Sequence, residues 1–303
     1  MKNTIETFSA LGARLLGFGD DDATRAVIDS ACRANGWFTP ADIRRAVRAI
    51  ACDMLQREKL EAWLADYPVL PVAEPRRVLV VMAGNIPLVG FFDLLCVLVS
   101  GHGCLVKPSA KDSVLMEHVV GLLREIDPSA PVRLYDGTSP VDAVIATGSD
   151  NANRYFRAHY AGIPSLLRGS RQSVAVLSGR ETPEQLAGLA DDIWAYSGLG
   201  CRSVSLIFAP EGYEPALQIP PVNDKYINNY RQQRALLEMQ GRPFVDLGCA
   251  VAVEQCAFPA TLSRITYAHY ATLDEVVAWL AGHDGELQCV VTGCLPHSRR
   301  VGF

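Results

Sequence analysis

The apolar positions of this chain fall into two rhythms. Short continuous runs have the length and β-branched content of buried strands: VLVVM (78–82), CLVK (104–107), DAVIA (142–146), SVAVL (173–177) and VSLIF (204–208). Longer stretches between them read as helices over residues 87–100, 113–125, about 150–159 and 183–196. Ahead of the first strand the pattern is helical over 3–17, 22–34 and 40–65, the last opening after the cap-like Thr39-Pro40. Strand, turn, helix and strand within about 30 residues make a βαβ unit, which requires parallel strands. Repetition of that alternation predicts an α/β fold. No internal repeat or low-complexity linker interrupts it.

One stretch allows a different reading. From Val78 to Val106 only Asp93 and His102 carry polar charge or an imidazole, and the run is long enough to span a bilayer. Gly84-Asn85-Ile86-Pro87, a turn signal near its start, divides it into strand and helix, so the prediction is a soluble crossover with no membrane span.

Composition agrees with a packed domain. The chain has 303 residues, 49% of them hydrophobic and 20% charged, which suits about two domains and excludes a disordered chain. Its net charge of −5 argues against a dedicated nucleic-acid binder. The nine cysteines are odd in number and contain no CxxC pair, and MKNTIETFSA lacks the apolar core of a secretory signal. The expectation is a cytoplasmic protein with reduced thiols, most of them buried packing residues.

Missing motifs narrow the chemistry. There is no GxGxxG after a strand, no GxxxxGK[ST], no HExxH and no GxSxG, and the six histidines do not pair at zinc-ligand spacing. Three segments remain as candidates. In Gly198-Leu199-Gly200-Cys201-Arg202 a thiol sits on a glycine-rich loop beside a cation, either as a nucleophile of lowered pKa or as packing. Asn85, at the carboxyl end of the first sheet strand, is either an oxyanion donor or the cap of the next helix. Thr147-Gly148-Ser149 is either a phosphate-binding turn or an ordinary helix cap. Lys107 ends another strand, within reach of a nucleotide or simply solvated.

Together these segments resemble the aldehyde dehydrogenase superfamily, and more closely its LuxC-like acyl-CoA reductase branch. The resemblance is carried by VMAGNIPLVGFFDLLCVLVSGHG, LVKPSAKD, DAVIATGSDNANRYF, RQSVAVLSG, DDIWAYSGLGCRSVSLIFAPEGY and NNYRQQRALLEMQG. It implies a helical N-terminal segment over 1–75, a Rossmann-type parallel-sheet cofactor domain over 76–197 and an α/β catalytic domain over 198–303. It also implies that relatives continue through a segment beyond Val301-Gly302-Phe303. In the terms of that family, Cys201 is the catalytic thiol, and Asn85 and the Cys201 N–H form the oxyanion hole. Lys107 and Ser109 belong to the ribose-binding loop, and Gly148 and Ser149 hold the pyrophosphate.

Two departures sharpen the expectation. Hydrolytic relatives carry a Glu in an E-L-G-G-K segment, whereas here Arg168-Gly169-Ser170-Arg171-Gln172 contains no acid to activate water. Ala110 replaces a ribose-binding Glu, with Lys111 beside it, which suits a 2′-phosphate and hence NADPH, with NADH as the alternative. The implied activity is reduction of a fatty acyl thioester, on CoA or acyl carrier protein, to the aldehyde. The alternatives are a hydrolytic aldehyde dehydrogenase, a cysteine acyltransferase and an acyl- or nucleotide-binding protein impaired in catalysis. No metal is implied. A homodimer or a partner enzyme that supplies the acyl group is the expected association.

Overall fold

The computed structural model describes residues 2–67 and 69–295. The terminal Val301-Gly302-Phe303 lies outside the described residues. Two compact units divide between Gly169 and Ser170. The functional boundary expected from the sequence lies further on, near Ser197.

The first unit opens with α1 (Lys2–Leu16), α2 (Asp22–Ala34), α3 (Pro40–Ala49), a π-helical turn (Ile50–Met54) and α4 (Arg57–Ala65). The third helix predicted from the sequence is therefore two helices. The break places Leu55 against Gly12 of α1, so closely that a Cβ on Gly12 would lie 2.8 Å from that of Leu55.

Next come β1 (Arg77–Val81), α5 (Phe91–Val99), β2 (Gly103–Lys107), α6 (Ser113–Ile126), β3 (Val132–Leu134), β4 (Ala143–Thr147), α7 (Asp150–His159) and β5 (Ser165–Arg168). The strands form a parallel sheet in the order β3-β2-β1-β4-β5. β1 reads as a continuous apolar run because both of its faces are covered. Val78 and Val80 belong to the core shared with α1–α6, including Phe8, Leu11, Phe91 and Leu94. Leu79 and Val81 pack on the opposite face with Leu105, Val144 and Phe156. The apolar run from Val78 to Val106 is thus β1, α5 and β2. Among the described residues no helix is long and apolar enough to cross a membrane.

The chain leaves β1 for β2 on one side and returns to β4 on the other. That reversal makes a switch point, and ligands in open α/β sheets bind outside the carboxyl ends of the strands there. Val81 pairs with Lys107 and with Ala146, so the AGNIP, VKPS and TGS turns all leave this one sheet edge.

The second unit contains β6 (Gln172–Val176), α8 (Pro183–Trp194), a 3-10 turn (Ala195–Gly198), β7 (Val204–Pro210) and α9 (Asp224–Met239). It continues with β8 (Val245–Asp246), β9 (Val251–Glu254), β10 (Arg264–Tyr270), α10 (Leu273–Gly282) and β11 (Leu287–Thr292). Its sheet runs β11-β6-β7-β10-β9-β8, parallel except for the antiparallel β8–β9 pair. Together the two units realise the predicted α/β class.

Candidate active site

In the first unit the Ala83–Leu88 turn is shaped by residues remote in sequence. α5 starts at Phe91, not at Pro87 as the sequence pattern suggested. The cause is Leu88, whose φ of 56° is left-handed and incompatible with a helix running through it. The Leu88 N–H donates to Asp112 Oδ2 at 2.8 Å. At the other end of the turn, the Asn35 side-chain amide donates to the Gly84 carbonyl at 3.2 Å. Gly84 itself leaves no room for a side chain: a Cβ there would lie 2.7 Å from the Ser109 side chain and 3.1 Å from Lys111 Cβ. The structure therefore packs the AGNIP turn directly on the Ser109–Lys111 loop. Asn85 is half-buried between these contacts, whereas Lys107 and Lys111 are exposed.

Gly148 and Ser149 leave the neighbouring strand β4. Ser149 is exposed, and its hydroxyl accepts from the Ala152 N–H at 3.3 Å as the cap of α7. The cap reading of this serine is thus realised, and any anion here would have to rely on backbone N–H groups. Asp150 adds a carboxylate in the first helical turn. The RGSRQ segment begins with Arg168, whose guanidinium Nη1 donates to both oxygens of Asp93 at 2.7 Å. That pair ties β5 to α5.

In the second unit the Cys201 loop begins with unusual backbone geometry. Tyr196, Ser197 and Gly198 have φ values of 52°, 57° and 62°, a consecutive left-handed run. Only the glycine adopts this at little cost; for the other two, each such residue costs roughly 1–2 kcal/mol. Strain of this kind gathers at functional sites. After the turn, the Ser203 N–H donates to the Gly200 carbonyl at 3.0 Å, and Ser203 Oγ accepts from the Gly200 N–H at 3.3 Å. Ser173 Oγ, 0% exposed, donates to the Cys201 carbonyl at 2.8 Å and accepts from the Cys289 N–H at 3.1 Å. One buried hydroxyl therefore links the Cys201 loop to β6 and β11. Replacing it is expected to leave the Cys289 N–H and the Cys201 carbonyl without this partner. Ser173→Ala should cost about 2 kcal/mol in chemical denaturation, and a cost below about 0.5 kcal/mol would rule out this anchoring role.

Cys201 is exposed, but its thiol is not activated in the way its sequence neighbours suggested. Although the residue is exposed, the protein packed around the thiol partly desolvates it and pushes its pKa up, and Arg202 and Arg171 only partly oppose that effect. A cation adjacent in sequence is outweighed by desolvation, which is a tertiary property. Cys256 is exposed too, while Cys104, Cys249 and Cys289 are buried. Among the described residues no group of three His, Cys, Asp or Glu side chains could hold a metal ion.

Sequence reasoning missed Asn35, Asp112, Ser173 and the left-handed run at 196–198. Asn35 and Asp112 stand where a helix end and a helix start were predicted, so their signals resembled ordinary caps. Ser173 opens a predicted strand, and that pattern carries no signal for the role of its hydroxyl.

These two units define the aldehyde dehydrogenase fold. Betaine aldehyde dehydrogenase from Staphylococcus aureus, crystallised as a double mutant in complex with NAD+, superposes with a TM-score of 0.65 at 14% identity, covering 98% of this chain and 77% of that one. An indole-3-acetaldehyde dehydrogenase complexed with NAD+ gives the same TM-score at 14% identity, over 96% of this chain and 76% of that one. Within that fold, residues 33–218 match the family model of acyl-CoA reductase (LuxC), and the chain belongs to this family.

Curated relatives include the long-chain acyl-protein thioester reductase of Vibrio harveyi, 28% identical over 174 residues, and long-chain acyl-protein thioester reductase 2 of Photobacterium leiognathi, 24% identical over 175 residues. The alignments cover 51% and 52% of this chain but only 36% and 37% of those proteins, little more than a third of their length.

Proposed function

We propose that this protein reduces a fatty acyl thioester to the aldehyde through an S-acyl intermediate on Cys201, using NADPH. The observation that carries the reading is Cys201 itself: an exposed thiol, following a strained left-handed turn, inside the stretch that matches the acyl-CoA reductase family. The names of the curated relatives favour an acyl group held on a protein thiol, with acyl-CoA as the soluble equivalent.

In this reading the Cys201 thiolate attacks the acyl carbonyl carbon. A bond from Sγ to carbon forms, the bond to the carrier sulfur breaks, and the carrier leaves as a thiol with the proton that Cys201 gave up. The Asn85 amide and the Cys201 N–H are the donors assigned to the developing oxyanion, a role worth about 3 kcal/mol per donor. The nicotinamide, when bound, supplies the hydride that turns the S-acyl group into a thiohemiacetal. Cleavage of the Sγ–carbon bond then releases aldehyde, and the thiolate is free to begin again. Overall, acyl thioester, NADPH and one proton give aldehyde, NADP+ and carrier thiol. The lack of an acid in Arg168–Gln172 favours hydride transfer over hydrolysis, because no carboxylate there can activate water.

The residues at the carboxyl edge of the first sheet suit a nucleotide. Lys107 offers an exposed ammonium and Gly148-Ser149 the start of α7, while Ala110, followed by Lys111, stands where NAD-preferring relatives carry a ribose-binding Glu. The test follows NADPH oxidation and aldehyde formation over a series of acyl-CoA chain lengths, with intact-mass detection of the acyl adduct. Stoichiometric aldehyde and NADP+ are expected. An acylated protein that never consumes NADPH would make it an acyltransferase instead.

A further inference from the structure

The carboxylate of Asp112 is placed where helix stability does not require it. It precedes α6 at the cap position, yet makes no capping hydrogen bond to its own helix. It is 4% exposed, and instead of turning onto the α6 N–H groups it reaches Leu88, 24 residues back in the chain. Its other oxygen, Oδ1, is buried without a hydrogen-bond partner among the described residues. A buried carboxylate is costly, and one spent on a single loop N–H calls for a reason in the loop.

Asn35 repeats the pattern. It is 5% exposed at the end of α2, and its amide reaches across to the Gly84 carbonyl. Its Oδ1 is fixed in turn by the Trp37 N–H at 3.1 Å. Two buried polar side chains, from different elements, thus grip the two ends of one five-residue turn. Gly84 is also packed closely on Ser109, and Leu88 is left-handed. Asn85 is the residue next to the first grip.

We propose that Asn35 and Asp112 are positioning residues that clamp the Gly84–Leu88 turn and thereby orient the Asn85 amide. The consequence for catalysis rests on the reading that Asn85 serves the oxyanion; the clamp itself does not.

Hydrogen–deuterium exchange tests the clamp directly. In Asp112→Ala the Gly84–Leu88 amides should exchange about tenfold faster or more, with the β2 amides changed by less than about twofold. Asp112→Asn keeps an acceptor for the Leu88 N–H and should restore most of the protection. Asn35→Asp removes the donor to Gly84 at constant size, and covers the case in which Asp112→Ala fails to fold. Steady-state kinetics test the consequence. Asn35→Asp and Asp112→Ala should lower kcat about 10- to 100-fold with the acyl KM within about twofold, and Asp112→Asn should recover most of it. In an Asn85→Ala background the same changes should cost less than about a further twofold, since the group they orient is gone.

Unchanged exchange in both Asp112→Ala and Asn35→Asp overturns the clamp. Losses that multiply fully on top of Asn85→Ala overturn the orienting role and leave a merely structural one. Exchange that responds as expected in a protein with no reductase activity would instead refute the proposed function and leave the clamp standing.

Discussion

Cys201→Ala is expected to lose at least about a thousandfold in the rate of NADPH oxidation with acyl-CoA, because removal of a covalent nucleophile is among the largest single-residue losses known. The acyl adduct should vanish from the intact mass, while nucleotide affinity stays within about twofold of wild type. Folding should be nearly unaffected. Cys201 is exposed, and its anchoring bond from Ser173 goes to the backbone carbonyl, which alanine keeps. A change within about 0.5 kcal/mol is the expectation for such a site. Cys256 is the control, being also exposed. Cys256→Ala should retain both adduct and turnover. An acyl group found on Cys256, or full activity in Cys201→Ala, would refute the assignment. The raised thiol pKa adds a signature. In the absence of nucleotide, alkylation of Cys201 should climb with pH and reach half its maximum above the ordinary thiol value.

The strands that the sequence reveals are those with a continuous apolar run. β1, β2, β4, β6 and β7 lie within a residue or two of the predicted runs, because parallel strands covered by helices are largely apolar. The edge strand β5 escaped notice because it leaves Leu166 exposed and shows no such run. β10 was missed because it mixes aromatic residues with Arg264, Thr266 and His269. The start of α5 was misplaced for a different reason. The chain turns left-handed at Leu88, where its N–H meets a carboxylate 24 residues further along the chain.

The candidate site divides in the same way. Its glycines and its exposed thiol are visible in one stretch of sequence. The left-handed Tyr196 and Ser197 are not, since neither residue type signals positive φ. The groups that hold each loop, Asn35, Asp112 and Ser173, come from elements far away along the chain. The charge balance at Cys201 is hidden for the same reason. Sequence shows the neighbouring charge but not the desolvation that opposes it.

Asp112 should also leave a mark on the pH dependence of stability. Burial pushes its carboxyl up from 3.8 to about 7, and the Leu88 N–H only partly counters this. In the unfolded chain the group ionises near its ordinary value, so between about pH 4 and pH 7 the folded state binds more protons. Stability from this group is therefore fully present below the unfolded pKa. It declines as pH rises through that window and is gone above the folded pKa, the reverse of the usual carboxylate. A shift of about three units at about 1.4 kcal/mol each sets a ceiling of about 4 kcal/mol. Asp136 and Asp142 act in the opposite sense. Hydrogen bonds from Ser139 and Thr138, and from Arg77, hold their pKa values down, so their contributions are lost only in acid. A difference measurement cancels them. Urea denaturation of wild type and Asp112→Asn at pH 4, 5, 6, 7 and 8 should show the variant gaining roughly 2–4 kcal/mol on wild type from the bottom of the range to the top. A difference that stays flat from pH 4 to pH 8 would mean that the Asp112 carboxylate is solvated in the folded protein. In that case it could not be the buried grip on Leu88.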